Sequence, residues 1–409
     1  MEDKALRKGL SITAIVLIAV TAIVFSLNSA NGILFGIDAS LCGAPFIAAL
    51  AIPLLAVLIV LARYYTSTDT ADDLIASVGV RYSVFGWFFL FMIKFWDFLL
   101  KLFAYDFYLD HFSDIYLIMN SVNVCRVGTV VLSFMLKKLP VYKIEKRKMK
   151  FGQLFLIIMM MYGLTQVGSL MGMPIHLALS AFSVSEADSV STLPDLLLTS
   201  NPIVRTVCVG ILPAVFEEIL FRKFLIDRTI RHGEFISCAM SGIMFGLWHG
   251  NFQQFFFAFF VGVLFAFVYI RTGNIIYTMI LHASMNLVTS TITLNLLIKL
   301  LESMGMDMIS GEYLTEPTEE TIIAMIPILL LTLFWILCLF VFQVVGFILL
   351  IVKRKKFKLI PWIGELSRKQ ILHKMTHSVE MWIFFLMAIM LFLISYLPDI
   401  FAFIFQGAR

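Results

Sequence analysis

Apolar runs of about 20 residues, each long enough to cross a hydrocarbon core of roughly 30 Å, recur along the chain from residue 10 to residue 404. Inside lipid the backbone N–H and C=O groups of such runs find no water, so each run must close its own hydrogen bonds as a helix. About eleven spans are expected, at roughly 10–30, 45–62, 82–105, 116–136, 153–172, 203–231, 235–250, 252–271, 274–298, 321–352 and 381–404. The fold class this predicts is an all-α, polytopic transmembrane helical bundle. No repeat period, low-complexity tract or water-soluble domain interrupts it. Residues 186–200 and 299–320 read as loops, with room for short interfacial helices.

The connections between the runs alternate in charge. Lys137, Lys138, Lys143, Lys146, Arg147, Lys148 and Lys150 fall between the fourth and fifth spans, and Lys353, Arg354, Lys355, Lys356 and Lys358 between the tenth and eleventh. The opposite loops are acidic: Asp106, Asp110 and Asp114; Glu186, Asp188 and Asp195; then Glu302, Asp307, Glu312, Glu316, Glu319 and Glu320. Cytoplasmic loops are the Lys- and Arg-rich ones, so the N-terminus is expected in the cytoplasm and the C-terminus outside. A cell membrane is the expected location, bacterial plasma membrane ahead of endoplasmic reticulum. Residues 1–30 begin basic (Lys4, Arg7, Lys8) and then run apolar for about 20 residues, long for the core of a cleaved leader, which predicts a retained signal anchor.

Composition agrees with lipid as the solvent: 60% of residues are hydrophobic, 14% are charged, and the mean hydropathy is +0.95. The net charge of +4 resides in the basic connections and not in a soluble module, which argues against a nucleic-acid partner. Membrane lipids are the expected surroundings. Cys42, Cys125, Cys208, Cys238 and Cys338 are scattered without CxxC pairing and suggest neither a disulfide framework nor a thiolate metal site.

Against this apolar background the acids at Glu217 and Glu218 stand out. One ionisable group at mid-membrane costs about 2.5–3.5 kcal/mol on insertion scales, so the pair needs compensation. Arg222 lies four residues after Glu218 on the same helical face and supplies a partner, while Glu217 points about 100° away. The plain alternative is that these charges mark the end of the sixth span and reach water. Two further helices weigh against it: Phe245 and His249 share one face of the seventh span, and His282 and Asn286 one face of the ninth.

If the sixth and seventh spans turn at His232, Gly233 and Glu234, then Glu217 and His249 both lie 16 residues from Gly233, about 24 Å along antiparallel neighbours. They are therefore expected at one level, with Asp227, Arg228 and Arg231 in the headgroup zone. His282 is about nine residues beyond the turn at Gly273 and Asn274, nearer that end. Pro213, four residues before Glu217, should open the helix and free a carbonyl near the site. Gly242, Gly246, Gly250 and Gly262 should let the helices approach closely.

The order EExxxR (Glu217, Glu218, Arg222), FxxxH (Phe245, His249) and HxxxN (His282, Asn286) resembles the CPBP family of CAAX proteases and bacteriocin-processing enzymes, over about residues 200–290. The resemblance implies an intramembrane endopeptidase with a polar cavity open to the cytoplasm, acting on a membrane-associated peptide or protein, lipidated or not. It implies that Glu217 and His249 activate the attacking water, that His282 and Asn286 stabilise the oxyanion, and that Glu218 and Arg222 hold the first group in place. It divides the chain into N-terminal helices of unassigned role (1–200), a protease core (201–298) and C-terminal helices (299–409).

Such chemistry is sensible from the residue types alone. A carboxylate and an imidazole are the usual general bases for water, and amide and imidazole donors suit a developing oxyanion. Two Glu and two His also form an acceptable set for a divalent metal such as Zn²⁺, in which case Glu217, His249 and His282 are the expected ligands.

Two other readings remain open at this level. A non-catalytic immunity or scaffold protein of the same fold would bind a membrane peptide without cutting it. A transporter would use Lys94, Asp97 and Arg126, which otherwise read as structural, Lys94 pairing with Asp97. No repeated half and no matching pair of broken helices supports transport. The stripe Phe255, Phe256, Phe257, Phe259 and Phe260 reads as lipid-facing or core packing.

Overall fold

The computed structural model describes residues 2–35, 39–66, 69–123, 128–180, 193–306, 318–360 and 366–406. Every regular element among the described residues is a helix, and the chain is an all-α polytopic membrane protein. Among the described residues six helical stretches are long and apolar enough to cross a membrane: Ala5–Val24, Ala71–Phe103, Phe151–Leu179, Phe252–Thr272, Ile275–Ser303 and Ile322–Lys356. The pair Arg368–His377 and Val379–Phe392, bent by 72°, makes a seventh if it counts as one span. Ala49–Tyr64 and Glu234–Trp248 are apolar but shorter.

Of the fourth expected span the helices Phe112–Val122 and Thr129–Leu136 are described, and Arg126 between them lies outside the described residues. The sixth alternates between α and π geometry: π at Thr206–Ile211, α at Leu212–Glu218, π again at Ile219–Phe224, then α at Leu225–Thr229. π-turns tend to mark functional positions in helices, and here they flank the glutamate pair.

The centre of the fold is the antiparallel pair Glu234–Trp248 and Phe252–Thr272. A Cβ on Gly262 would lie 3.2 Å from the Gly242 Cα, so the two backbones pass in direct contact. This matches the close approach expected of the small residues. Phe151–Ser180 packs on one flank, with a Cβ on Gly168 only 2.3 Å from the Phe257 Cα, and Glu319–Lys353 packs outside it through Gly346. On the other side, Glu2–Phe35, Ala39–Tyr64, Ala71–Phe103 and Val379–Gln406 form the larger apolar core. Along Glu319–Lys353 the outward side chains are Leu330, Leu331, Leu333, Phe334, Leu337 and Phe340, as a lipid-facing helix requires. The phenylalanine stripe serves packing: Phe257 meets Gly168, and Phe255 meets Phe259 and Phe392.

Both basic connections lie at one end of this core, fastened by backbone bonds. Tyr142 N donates to Asp227 O at 2.7 Å and Arg147 N to Thr272 O at 2.7 Å. Arg271 ion-pairs with Glu234 and donates to Lys358 O at 2.7 Å, while Ile360 N donates to Glu234 Oε2 at 2.6 Å. Among the acidic positions, Glu186, Asp188, Asp307, Glu312 and Glu316 lie outside the described residues.

Asp227 and Arg228, expected in the headgroup zone, sit at the end where the basic connections attach but are buried there: Asp227 accepts from the Tyr269 hydroxyl at 2.7 Å and pairs with Lys223 at 2.5 Å, and Arg228 donates to Phe224 O and Leu136 O. Asp97 meets Lys101 at 3.6 Å and the Tyr108 hydroxyl at 2.5 Å, and the side chain of Lys94, its expected partner, lies outside the described residues.

Candidate active site

The turn expected between the acid-bearing and histidine-bearing helices falls where predicted. Gly233 takes φ 110°, a conformation open to glycine and strained for other residues, and the Glu234–Trp248 helix starts after it. That helix ends at His249, its C-cap, so the imidazole stands at the helix mouth. The next turn uses Gly273 at φ 58° as a left-handed cap, and the Asn274 side chain accepts from Ile276 N to start Ile275–Leu287, which carries His282 and Asn286.

Four of the six predicted side chains form one connected cluster. Glu218 and Arg222 are fully buried, with Arg222 Nη1 at 3.2 Å from Glu218 Oε1. His282 sits between the two acids: its Nδ1 is 3.0 Å from Glu218 Oε1 and its Nε2 is 3.8 Å from Glu217 Oε2. The two carboxylates therefore address opposite nitrogens of one ring, although they leave their helix in different directions. Glu218 Oε2 has no hydrogen-bond partner, and Arg222 Nη2 lies 3.5 Å from Gly262 O.

Phenylalanine rings join this cluster to His249. The Arg222 guanidinium lies 4.3 Å from the Phe245 centroid and 5.2 Å from that of Phe265. His249 and His282 both meet Phe245 edge-on, at 4.9 and 5.7 Å between centroids. His249 Nδ1 is 2.9 Å from Phe245 O; a carbonyl only accepts, so Nδ1 carries the proton and Nε2 keeps its lone pair. Phe265 was not singled out from the sequence, where it is one apolar residue among many.

Asn286 stands slightly apart. Its Nδ2 donates to Val209 O at 3.0 Å. Pro213, four positions on, has no N–H to offer that carbonyl. The carbonyl expected to open near the site is thus present, and Asn286 caps it with one of its two amide hydrogens.

Among the described residues no three His, Cys, Asp or Glu side chains gather as a group able to hold a metal ion. Glu217, His249 and His282 do not converge as a ligand set here, and no step below runs through a metal.

Residues 199–288 match the family model described as type II CAAX prenyl endopeptidase Rce1-like. No curated protein and no solved structure gives a significant match. The matched segment holds all six side chains of the site, from Glu217 to Asn286. The chain thus carries an Rce1-like segment at 199–288, consistent with the CAAX-protease family, and the comparison supports an intramembrane protease at the level of that family.

Proposed function

We propose that this protein hydrolyses a peptide bond in a membrane-associated substrate, a peptide of the prenylated CAAX type, with water activated by Glu217 and His249. The observation that carries the reading is the His282 ring clasped between Glu218 and Glu217, with Arg222 behind it. Buried charge without compensation is expensive, and a purely structural helix would gain more from apolar side chains at these positions.

In this mechanism Glu217 takes a proton from a water that also donates to the free Nε2 of His249, and the resulting hydroxide attacks the scissile carbonyl carbon. The carbonyl π pair moves to oxygen, where His282 Nε2–H and the second amide hydrogen of Asn286 donate to it. Collapse breaks the C–N bond, and the proton taken from water passes to the leaving amine. If Nδ1–H donates to Glu218, donation from Nε2 as well needs both ring nitrogens protonated. One proton there brings two carboxylates, one guanidinium and one imidazolium to zero net charge. Glu218 and Arg222 set the orientation of His282 and do not touch the substrate.

The basic connections at one end are proposed to face the cytoplasm, which puts the N-terminus on that side. The protein is proposed to act within residues 201–298, with the flanking helices as its frame.

The test is cleavage of a fluorogenic farnesylated CAAX peptide by the purified protein in proteoliposomes, with the unprenylated peptide as a second arm. Wild type is expected to release the C-terminal fragment, and His249→Ala to lose at least about 10²-fold in rate, the usual contribution of a general base. Cleavage of neither peptide by wild type, or full activity in His249→Ala, would refute the reading.

A further inference from the structure

The π-turn Ile219–Phe224 carries Arg222, and two of its carbonyls take side-chain donors from neighbouring helices. The Tyr82 hydroxyl donates to Leu220 O at 2.6 Å, and the Ser241 hydroxyl donates to Phe221 O at 2.9 Å. A π-turn shifts carbonyls off the regular i to i+4 ladder, and a buried carbonyl left without a donor costs about 1–3 kcal/mol. These two hydroxyls therefore hold the backbone that leads directly into the Arg222 Cα.

Tyr82 is fully buried, and its ring lies 6.0 Å from that of Phe221, whose ring in turn packs 5.4 Å from Phe245. Phe245 is the ring on which the Arg222 guanidinium rests and against which both imidazoles stand. Tyr82 belongs to the Ala71–Phe103 helix, far outside the 199–288 segment that matches the protease family.

We infer that Tyr82 is a positioning residue for this site: through Leu220 O it fixes the π-turn that aims Arg222 at Glu218, and through that pair the orientation of His282. Ser241 is the second clamp of the same turn. The inference rests on the hydrolytic reading above, and it gives the N-terminal helices a part in the chemistry. Misplacement of a reacting group by about 1 Å can cost 10²-fold in rate, so loss of one clamp is expected to cost about tenfold.

The experiment compares wild type, Tyr82→Phe, Ser241→Ala, Ser83→Ala and Glu217→Gln on the farnesylated peptide in proteoliposomes, with kcat, KM and thermal midpoint measured for each. Ser83 is the matched control: it is buried in the same helix and donates to Gly79 O at 2.7 Å, within that helix. Tyr82→Phe keeps the ring and removes only the hydroxyl. The expected result is a fall in kcat of about tenfold with KM within twofold, while Ser83→Ala keeps the wild-type kcat. A Tyr82→Phe kcat within twofold of wild type, beside an inactive Glu217→Gln, overturns the positioning role and leaves the hydrolytic reading intact. Equal losses of kcat in Tyr82→Phe and Ser83→Ala reduce Tyr82 to general packing and also overturn it. If Tyr82→Phe does not accumulate, Ser241→Ala decides by the same criterion, since it releases the same turn. An active Glu217→Gln takes down the hydrolytic reading and this inference with it.

Discussion

Replacement of Arg222 by methionine gives a stability change that can be worked from the geometry. The guanidinium is buried, 3.2 Å from Glu218 Oε1 and 4.3 Å from the Phe245 centroid. Removal of one partner of a buried pair costs about 3–5 kcal/mol. Glu218 would keep its 3.0 Å contact with His282, which puts the electrostatic loss near the lower end, about 3 kcal/mol. Loss of the guanidinium from Phe245 and Phe265 adds about 1 kcal/mol after methionine refills the space. The total expected for Arg222→Met is about 4 kcal/mol. The double variant Glu218→Gln/Arg222→Met removes both charges and should recover at least about 2 kcal/mol of it, a coupling that independent sites do not show. The assay is unfolding of the purified protein in mixed micelles titrated with sodium dodecyl sulfate, run on the full cycle of four proteins. Arg222→Met within about 1 kcal/mol of wild type, or strictly additive effects, would refute the claim that the pair is a buried unit.

Three further outcomes are expected. Asn286→Ala leaves Val209 O without its donor and should destabilise the protein by about 1–3 kcal/mol; Pro213→Ala in the same background restores a backbone N–H in reach and should return part of that loss in the same titration. Gly346→Ala would put a Cβ 1.7 Å from Met159 O, so the two helices must separate and the thermal midpoint should fall, which differential scanning fluorimetry reads directly. Glu234→Ala releases both Arg271 and Ile360 N, so trypsin should cut at Lys355, Lys356 and Lys358 faster than in wild type, as followed by mass spectrometry.

The sequence made the site's inventory legible because acids and imidazoles are costly in apolar runs and therefore stand out. Glu217, Glu218, Arg222, His249 and His282 were visible for that reason, and Pro213 announced the free carbonyl at Val209 through its missing N–H. Connections among them were not legible. That one ring, His282, joins both carboxylates depends on helix rotation, which residue spacing does not encode. The π-turns were missed because their residues have ordinary helical propensities; the donors to the Ile219–Phe224 turn, Tyr82 and Ser241, come from other helices. The partners of Asp227 and Arg228 were equally hidden: charge alone suggested water, whereas Lys223, Tyr269 and two carbonyls meet them, and Arg228 Nε keeps no hydrogen-bond partner.

The most direct measurement is single-turnover cleavage of the farnesylated peptide by wild type and Glu217→Gln with enzyme in excess, together with peptide binding to each. Gln keeps the size and a hydrogen-bonding oxygen but cannot accept a proton from water. The account predicts a fall in the cleavage rate of at least about 10²-fold with binding unchanged. A Glu217→Gln protein that cleaves within a few-fold of the wild-type rate would contradict it.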